Sequence, residues 1–152
     1  MSTHHDSRPR PSRCRRIPAF HPVPCAPRKD GWTPERQAQF IGCLAEMRCV
    51  RAAAARVGMG RESAYRLRKR PGAAGFAAAW DAALGKPHTA VDLASSKATQ
   101  LPPGYRFRHR RLQVVLYRGK FIAIRHKPDD SALLRHLARL HRAVESAIHE
   151  GR

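Results

Sequence analysis

The chain has 152 residues, and its 30 Lys and Arg residues against 11 Asp and Glu residues give it a net charge of +19. This length predicts one domain with appendages, and the few aromatic residues favour a small helical core. No apolar run approaches the ~20 residues of a membrane helix, so we expect a cytoplasmic, nucleoid-associated protein with no membrane partner and no secretory signal. The charge, spread along the chain, favours nucleic acid as partner, with an anionic membrane surface second and a merely basic protein as the alternative.

Residues 1–30 hold six of the twelve prolines and predict a disordered, basic, Pro-rich tail. Two interpretations stay open: an arm laid along phosphates or into a minor groove, and a solvated segment upstream of the true start. Cys14, Cys25, Cys43 and Cys49 lack the paired spacing of a zinc site, so we predict free thiols and no metal. The contacts of the arm would be Arg8, Arg10, Arg13, Arg15 and Arg16.

A first helix is predicted at 34–47, where Thr33 suits the N-cap and Pro34 suits the first helical position. Trp32, just before the cap, is expected to pack back on this helix. Apolar residues at helical spacing form its inner face. These residues, all assigned to the core, are Phe40, Ile41, Cys43, Leu44 and Met47.

Residues 50–70, VRAAAARVGMGRESAYRLRKR, predict a helix-turn-helix built from helices at 50–57 and 61–70. Gly58 is the predicted corner, because glycine takes a positive φ without a Cβ penalty, and Gly60 is the predicted N-cap of the second helix. Small alanine side chains let the two helices cross closely. The shared apolar face consists of Ala53, Ala54, Val57, Met59, Ala64 and Leu67.

The helix at 61–70 is the predicted recognition helix, which would enter the major groove of DNA. Its N-terminal outward residues are expected to contact base edges, and nearby basic residues are expected to contact phosphates. An Ala-rich hairpin in a plain structural bundle is the competing interpretation. The residues predicted for base contact are Arg61, Glu62, Tyr65 and Arg66. Those predicted for phosphate contact are Arg51, Arg68, Lys69 and Arg70.

Pro71 and Gly72 end this helix, and a further helix at 73–84 is predicted to bury Phe76, Trp80 and Leu84. The four helices 34–47, 50–57, 61–70 and 73–84 would form a helix-turn-helix domain over 31–84. Residues 85–104 have no periodicity and predict a linker.

Residues 105–152 predict a basic appendage of a β-hairpin and a helix. The strands flank a short turn at Arg118 and Gly119. A helix at 131–148 follows, with Asp129 and Asp130 as caps. Its apolar face is expected first to pack on the hairpin, and second to form a short coiled-coil seam for a homodimer. This face consists of Leu133, Leu137, Leu140, Val144 and Ile148. The basic flanks of the hairpin are Arg106, Arg108, Arg110, Arg111, Arg125 and Lys127.

The chain resembles helix-turn-helix units of bacterial and phage DNA-binding proteins, with Ala54 as the small residue of the first helix, Gly58 as the turn glycine, and Met59, Ala64 and Leu67 as the apolar positions that follow. GWTPERQ (31–37), KRPGAAGFAAAWDAAL (69–84) and DDSALLRHLARL (129–140) are similar to an uncharacterised alphaproteobacterial helix-turn-helix family. The resemblance covers about two thirds of the chain. It implies binding to double-stranded DNA but names no target and no chemistry.

No Gly-rich phosphate loop, H-E-x-x-H or G-x-S-x-G occurs, so we predict a mainly α, non-enzymatic protein without a cofactor. The expected function is sequence-specific DNA binding, with transcriptional regulation as its output. The alternative is a phage or mobile-element DNA-recognition module, like a terminase small subunit or a transposition accessory protein, that recruits a separate nuclease. A third hypothesis is an RNA or chromosome binder that uses charge alone.

Overall fold

A computed structural model of the chain describes residues 16–151. Over this range, helices predominate and a single two-stranded antiparallel sheet precedes the last helix, which confirms the mainly α fold. The elements in order are α1 (Pro34–Met47), α2 (Val50–Arg56), α3 (Arg61–Arg68), α4 (Ala74–Ala83), α5 (Ser96–Thr99), α6 (Pro103–Arg108), β1 (Arg111–Tyr117), β2 (Lys120–Lys127) and α7 (Asp130–Glu150).

Helices α1 to α4 lie within two residues of their predicted bounds because their end signals are local. The Thr33 side chain accepts a hydrogen bond from the backbone N–H of Arg36 at 3.2 Å, and Pro34 occupies the first turn. Helix α1 ends at Arg48, which has a left-handed φ of 54°. Gly72, with a φ of 84°, makes the corresponding reversal before α4.

Aromatic side chains fill the centre of the α1–α4 unit. Phe40 of α1 lies 5.0 Å from Trp80 of α4, measured between ring centroids, and Trp32 packs edge-on against Phe40 at 5.5 Å. Phe76 completes the cluster at 6.0 Å from Trp80. All four rings are buried, as the spacing predicted, and offset or edge-to-face contacts of this kind stabilise beyond the area they bury. The assignment of Met47 to the core is wrong, because this residue at the end of α1 is exposed.

The predicted disorder of 1–30 is wrong for its second part. Ile17, Phe20 and Val23 are buried in the main core. Phe20 exchanges two backbone hydrogen bonds with Leu112 of β1, at 3.0 and 2.8 Å, and Gln37 binds the backbone of Val23 through both ends of its amide. Proline is compatible with an extended backbone. The apolar residues between the prolines can therefore pack on the core without forming a helix. Residues 1–15 lie outside the described range, as do the predicted contacts Arg8, Arg10, Arg13 and Arg15.

The predicted linker at 85–104 is also only partly correct. Residues 85–95 have no helix or strand, but α5 and α6 follow, and α6 runs through residues that were expected to begin the hairpin. Arg106, predicted as a basic flank, is fully buried and donates to the carbonyl of Leu93 at 2.9 Å and to Oγ of Ser96 at 3.1 Å. Both partners lie in the predicted linker, so the sequence pattern could not reveal the pairing.

The hairpin turns where it was predicted to turn. Arg118 and Gly119 have φ angles of 50° and 77°, the two positive values that a tight hairpin turn requires. The strands are covered by α1: a Cβ on Gly42 would clash with the Phe121 ring, and the Phe121 N–H donates to Glu46 at 3.1 Å. The missing side chain at Gly42 therefore lets the ring lie directly on the helix.

Helix α7 does not pack on the hairpin, contrary to the first of its two predicted roles. It lies beside α6, where the ring of His136 approaches so closely that a Cβ on Gly104 would come within 3.0 Å of it. Of the described α7 residues, Ala132 alone is buried, while Leu137, Leu140, Val144 and Ile148 are more than half exposed. Because α1 already covers the sheet, the apolar face of α7 finds no partner within residues 16–151.

Candidate nucleic-acid interface

The turn between α2 and α3 has the geometry that the glycine predicted. Gly58 has a φ of 74°, its N–H donates to the carbonyl of Ala55 at 3.1 Å, and the Met59 N–H donates to the carbonyl of Ala54 at 2.9 Å. This pair of bonds is a Schellman motif, which satisfies the last carbonyls of a helix and reverses the chain. Ala53 and Ala54 are fully buried, so α2 and α3 are joined as a compact helix-turn-helix.

The inner side of α3 is fixed by packing and by one specific hydrogen bond. Ala64 and Leu67 are buried, and the indole N–H of Trp32 donates to Oγ of Ser63 at 2.8 Å. Gly60 is the N-cap and provides no side-chain hydrogen bond, as expected for glycine. Ser63 is not among the predicted residues, because a single serine within a basic helix carries no signal of its partner.

The outward side of α3 is a strip of polar and aromatic residues on two turns. In the helix these positions fall on one face, opposite Ala64 and Leu67. Each member is exposed, and we call this strip the α3 outer face. It consists of Arg61, Glu62, Tyr65, Arg66 and Lys69.

Tyr65 is less free than its neighbours on the α3 outer face. Its ring centroid lies 5.1 Å from that of Trp80, and it is 37% exposed. The guanidinium of Arg61 stands 5.6 Å from the centre of the Tyr65 ring, within the range of a cation–π contact. Tyr65 therefore packs on one side and supports Arg61 on the other, which differs from its predicted role as a direct base contact.

Arg68 is turned away from the α3 outer face. Its guanidinium makes two hydrogen bonds to the carboxylate of Asp81, at 2.9 and 3.0 Å, and lies 5.3 Å from the centre of the Trp80 ring. A bidentate pair of this kind occupies the fork that a phosphate would otherwise take. The structure thus assigns Arg68 to the junction of α3 and α4 and does not favour the predicted phosphate contact.

The remaining predicted phosphate contacts are exposed. Arg51 lies in the first turn of α2, and Lys69 follows the last residue of α3. Arg70 is exposed but donates to the carbonyl of Pro24 at 3.3 Å. It lies next to Cys25, where burial raises the pKa of the thiol and the charge of Arg70 opposes that rise. Arg51 and Lys69 are consequently better placed than Arg70 for a phosphate.

A second basic feature is a cleft of about 600 Å³ between α1, α4, the hairpin and the segment at 16–17. Apolar residues such as Ile17 and Val114 contribute to its lining, and no Asp or Glu of the described chain lines it. The cleft could not be predicted from the sequence, because its residues come from distant parts of the chain. Four arginines line it, namely Arg16, Arg48, Arg118 and Arg125.

A buried polar cluster ties the N-terminal segment to the start of α7. Nε2 of His21 lies 3.1 Å from Oδ2 of Asp129, and Nε of Arg111 lies 3.4 Å from the same oxygen. Burial lowers the pKa of His21 to about 4 against the attraction of Asp129, so the imidazole is neutral at pH 7. Burial acts to raise the pKa of Asp129, but hydrogen bonds from Ser131 and Ala132 and the charge of Arg111 outweigh it and lower that pKa.

The contacts of His21, Arg111 and Asp129 have a structural role. Oδ1 of Asp129 accepts from the backbone N–H of Ala132 at 3.0 Å, so the carboxylate caps α7 as predicted. Within residues 16–151, no group of three or more His, Cys, Asp and Glu side chains is placed to hold a metal ion. No helix in the same range has the length and apolar character needed to span a bilayer.

Comparison with known proteins gives no match for this chain, whether to a family model, to a curated protein or to a solved structure. The similarity to alphaproteobacterial helix-turn-helix proteins therefore stays a prediction from the residues quoted above.

Proposed function

We propose that the protein binds double-stranded DNA through α3, and that its output is transcriptional regulation. The observation that carries the proposal is the division of α3 into two sides. The inner side is held by the Trp32–Ser63 hydrogen bond and the Arg68–Asp81 pair, while Arg61, Glu62 and Arg66 are exposed on the outer face. A rigidly seated helix with exposed long polar side chains suits insertion into a major groove.

The outer residues offer two kinds of base contact. An arginine such as Arg66 can donate both of its terminal N–H groups to O6 and N7 of a guanine. Glu62 can accept from the exocyclic amine of a cytosine. Arg61 is oriented by its position over the Tyr65 ring, which restricts its rotamers before binding and lowers the entropy lost on contact.

Charge supports the same assignment. The chain carries +19, and Asp81 of α4 is already paired with Arg68 of α3. Lys69 and Arg51 are exposed beside the outer face and are suited to phosphate oxygens. Binding that neutralises phosphates releases counterions, so affinity should fall steeply with salt.

The first experiment selects bound sites from a random duplex pool and then compares variants on the enriched site and on random DNA. Arg66→Ala should weaken binding to the enriched site by ~1–3 kcal/mol and change random binding much less. Lys69→Ala should weaken both and lower the salt slope by about one. Arg139→Ala, which removes the same charge from an exposed position on α7, is the matched control.

Equal losses on specific and random DNA for Arg66→Ala and Arg139→Ala would refute base reading and favour the charge-only RNA or chromosome binder. The phage or mobile-element recognition module is distinguished by stoichiometry. The free apolar face of α7 is compatible with it, but that module predicts assemblies of many copies and a separate nuclease as partner.

A further inference from the structure

Helix α7 is amphipathic, but neither of its two sides is buried against the rest of the described chain. Its arginines lie on one side and are exposed: Arg135 donates to the carbonyl of Ala94, and Arg139 and Arg142 line a shallow groove with Ser96 and Pro103. Its apolar side is turned to solvent. The exposed fractions are 68% for Leu134, 51% for Leu137 and Leu140, 57% for Val144 and 58% for Ile148.

The second half of α7 has little to stabilise it within residues 16–151. Every residue from 137 to 150 is exposed, so these 14 residues form a helix with almost no tertiary packing. Isolated helices of this length are marginal in water, and contiguous apolar patches of this kind are rarely left open on a monomer. The helix therefore needs something to cover its apolar side.

We propose that this cover is the α7 of a second copy of the chain, so that the protein is a homodimer. The seam is the half-buried Leu133 with the exposed Leu137, Leu140 and Val144, whose spacing of four, three and four residues matches the core positions of a coiled coil. Leu134 and Ile148 flank the seam and widen it into a broad apolar stripe.

Charge also favours a second copy. Two chains of +19 repel each other over most of their surfaces, but α7 is the exception. It carries three acids, Asp130, Glu145 and Glu150, against three arginines, Arg135, Arg139 and Arg142. Two helices without net charge can approach each other closely despite the charge of the two chains.

The same charge balance disfavours the other occupants. Helices that lie on anionic lipid have a polar face rich in Lys and Arg, whereas α7 balances its three arginines with three acids. A nucleic acid needs cations on the surface that it meets, and the solvent-facing stripe offers aliphatic side chains. The proposal does not depend on DNA binding, although a dimer would place two copies of α3 on one particle.

The test is the mass of the full chain by sedimentation equilibrium between about 1 and 100 μM. The unaltered protein should approach twice 17.1 kDa as its concentration rises. Leu140→Glu should weaken association at least tenfold. Ser146→Glu places the same residue on the opposite side of the same helix and should keep the wild-type mass. Both positions are exposed, so unchanged fluorescence of the buried tryptophans will show that each monomer is folded.

A wild-type mass of 17.1 kDa at the highest concentration would overturn the proposal, as would equal effects of the two substitutions. Assemblies of four or more copies would also contradict the proposed homodimer. Vesicles of neutral and anionic phospholipid serve as the second probe: binding by a monomer that Leu140→Glu abolishes would assign the face to lipid. Because these measurements contain no DNA, a monomeric mass would contradict the homodimer without contradicting DNA binding through α3. A loss of DNA binding would likewise leave the homodimer unaffected.

Discussion

The α1–α4 unit and helix α7 are both amphipathic, yet only one of them is packed. Helices of 7 to 14 residues in the α1–α4 unit bury a shared cluster of four aromatic rings. The 21-residue α7 is the longest helix of the described chain, and Ala132 is its one buried residue. The comparison teaches that an apolar stripe specifies that a helix will be covered, but does not specify by what.

The largest expected effect separates the two regions directly. Trp80→Ala removes a ring that contacts Phe40, Phe76 and Tyr65, and should lower the free energy of unfolding by ~3–5 kcal/mol, because a large cavity remains. Leu137→Ala should change it by less than ~0.5 kcal/mol at concentrations where the chain is monomeric. Urea unfolding followed by circular dichroism measures both.

A large loss for Leu137→Ala in dilute protein would mean that α7 is packed within its own chain after all. A loss that grows with protein concentration would instead locate the contact between copies, because dimers are stabilised by mass action.

The second prediction concerns the polar cluster that joins the two regions. The pKa of His21 is about 4 in the folded chain and 6.5 in the unfolded chain, so the unfolded state binds more protons between these two pH values. Stability should therefore be highest above pH 6.5 and fall by about 3 kcal/mol as the pH drops to 4. The lowered pKa of Asp129 adds a further loss only below pH 3.8.

Unfolding in urea at pH 7 and pH 4.5 checks this prediction, with His21→Asn as the control. Asparagine retains a donor for Asp129 but does not titrate, so most of the pH dependence should disappear. His109 accounts for part of what remains, since burial also lowers its pKa. The same slope in both proteins would show that His21 does not couple the N-terminal segment to α7 in this way.

The smallest effect tests the turn that seats α3. Gly58→Ala adds a methyl group into open space, but at a φ of 74°, so it should cost ~1–2 kcal/mol through backbone strain alone. Gly60→Ser, two residues later at a negative φ, should be neutral or slightly stabilising, because serine is a better N-cap. Thermal melts of the two variants give the comparison, and equal melting temperatures would contradict the assigned turn.

The candidate site was foreseen in part. Glycine identified the turn, and helical spacing identified which residues of 61–70 face outward, so Arg61, Glu62, Arg66 and Lys69 are exposed as expected. The spacing could not tell Arg68 from its neighbours. Its assignment depends on Asp81, 13 residues away, which α4 brings to 2.9 Å. The arginine-lined cleft has the same origin, since its walls come from distant elements.

The sequence by itself determined the local structure: where α1 to α4 begin and end, the glycine reversal at Gly58 and the hairpin turn at Arg118 and Gly119. These features follow from caps, prolines and positive φ angles, which act over a few residues. Only the tertiary structure decided that Phe20 and Ile17 belong to the core, that α1 covers the hairpin, and that α7 is left open. The physical reason is that burial is decided by competition among all apolar surfaces of the chain, and that competition has no signature at any single position.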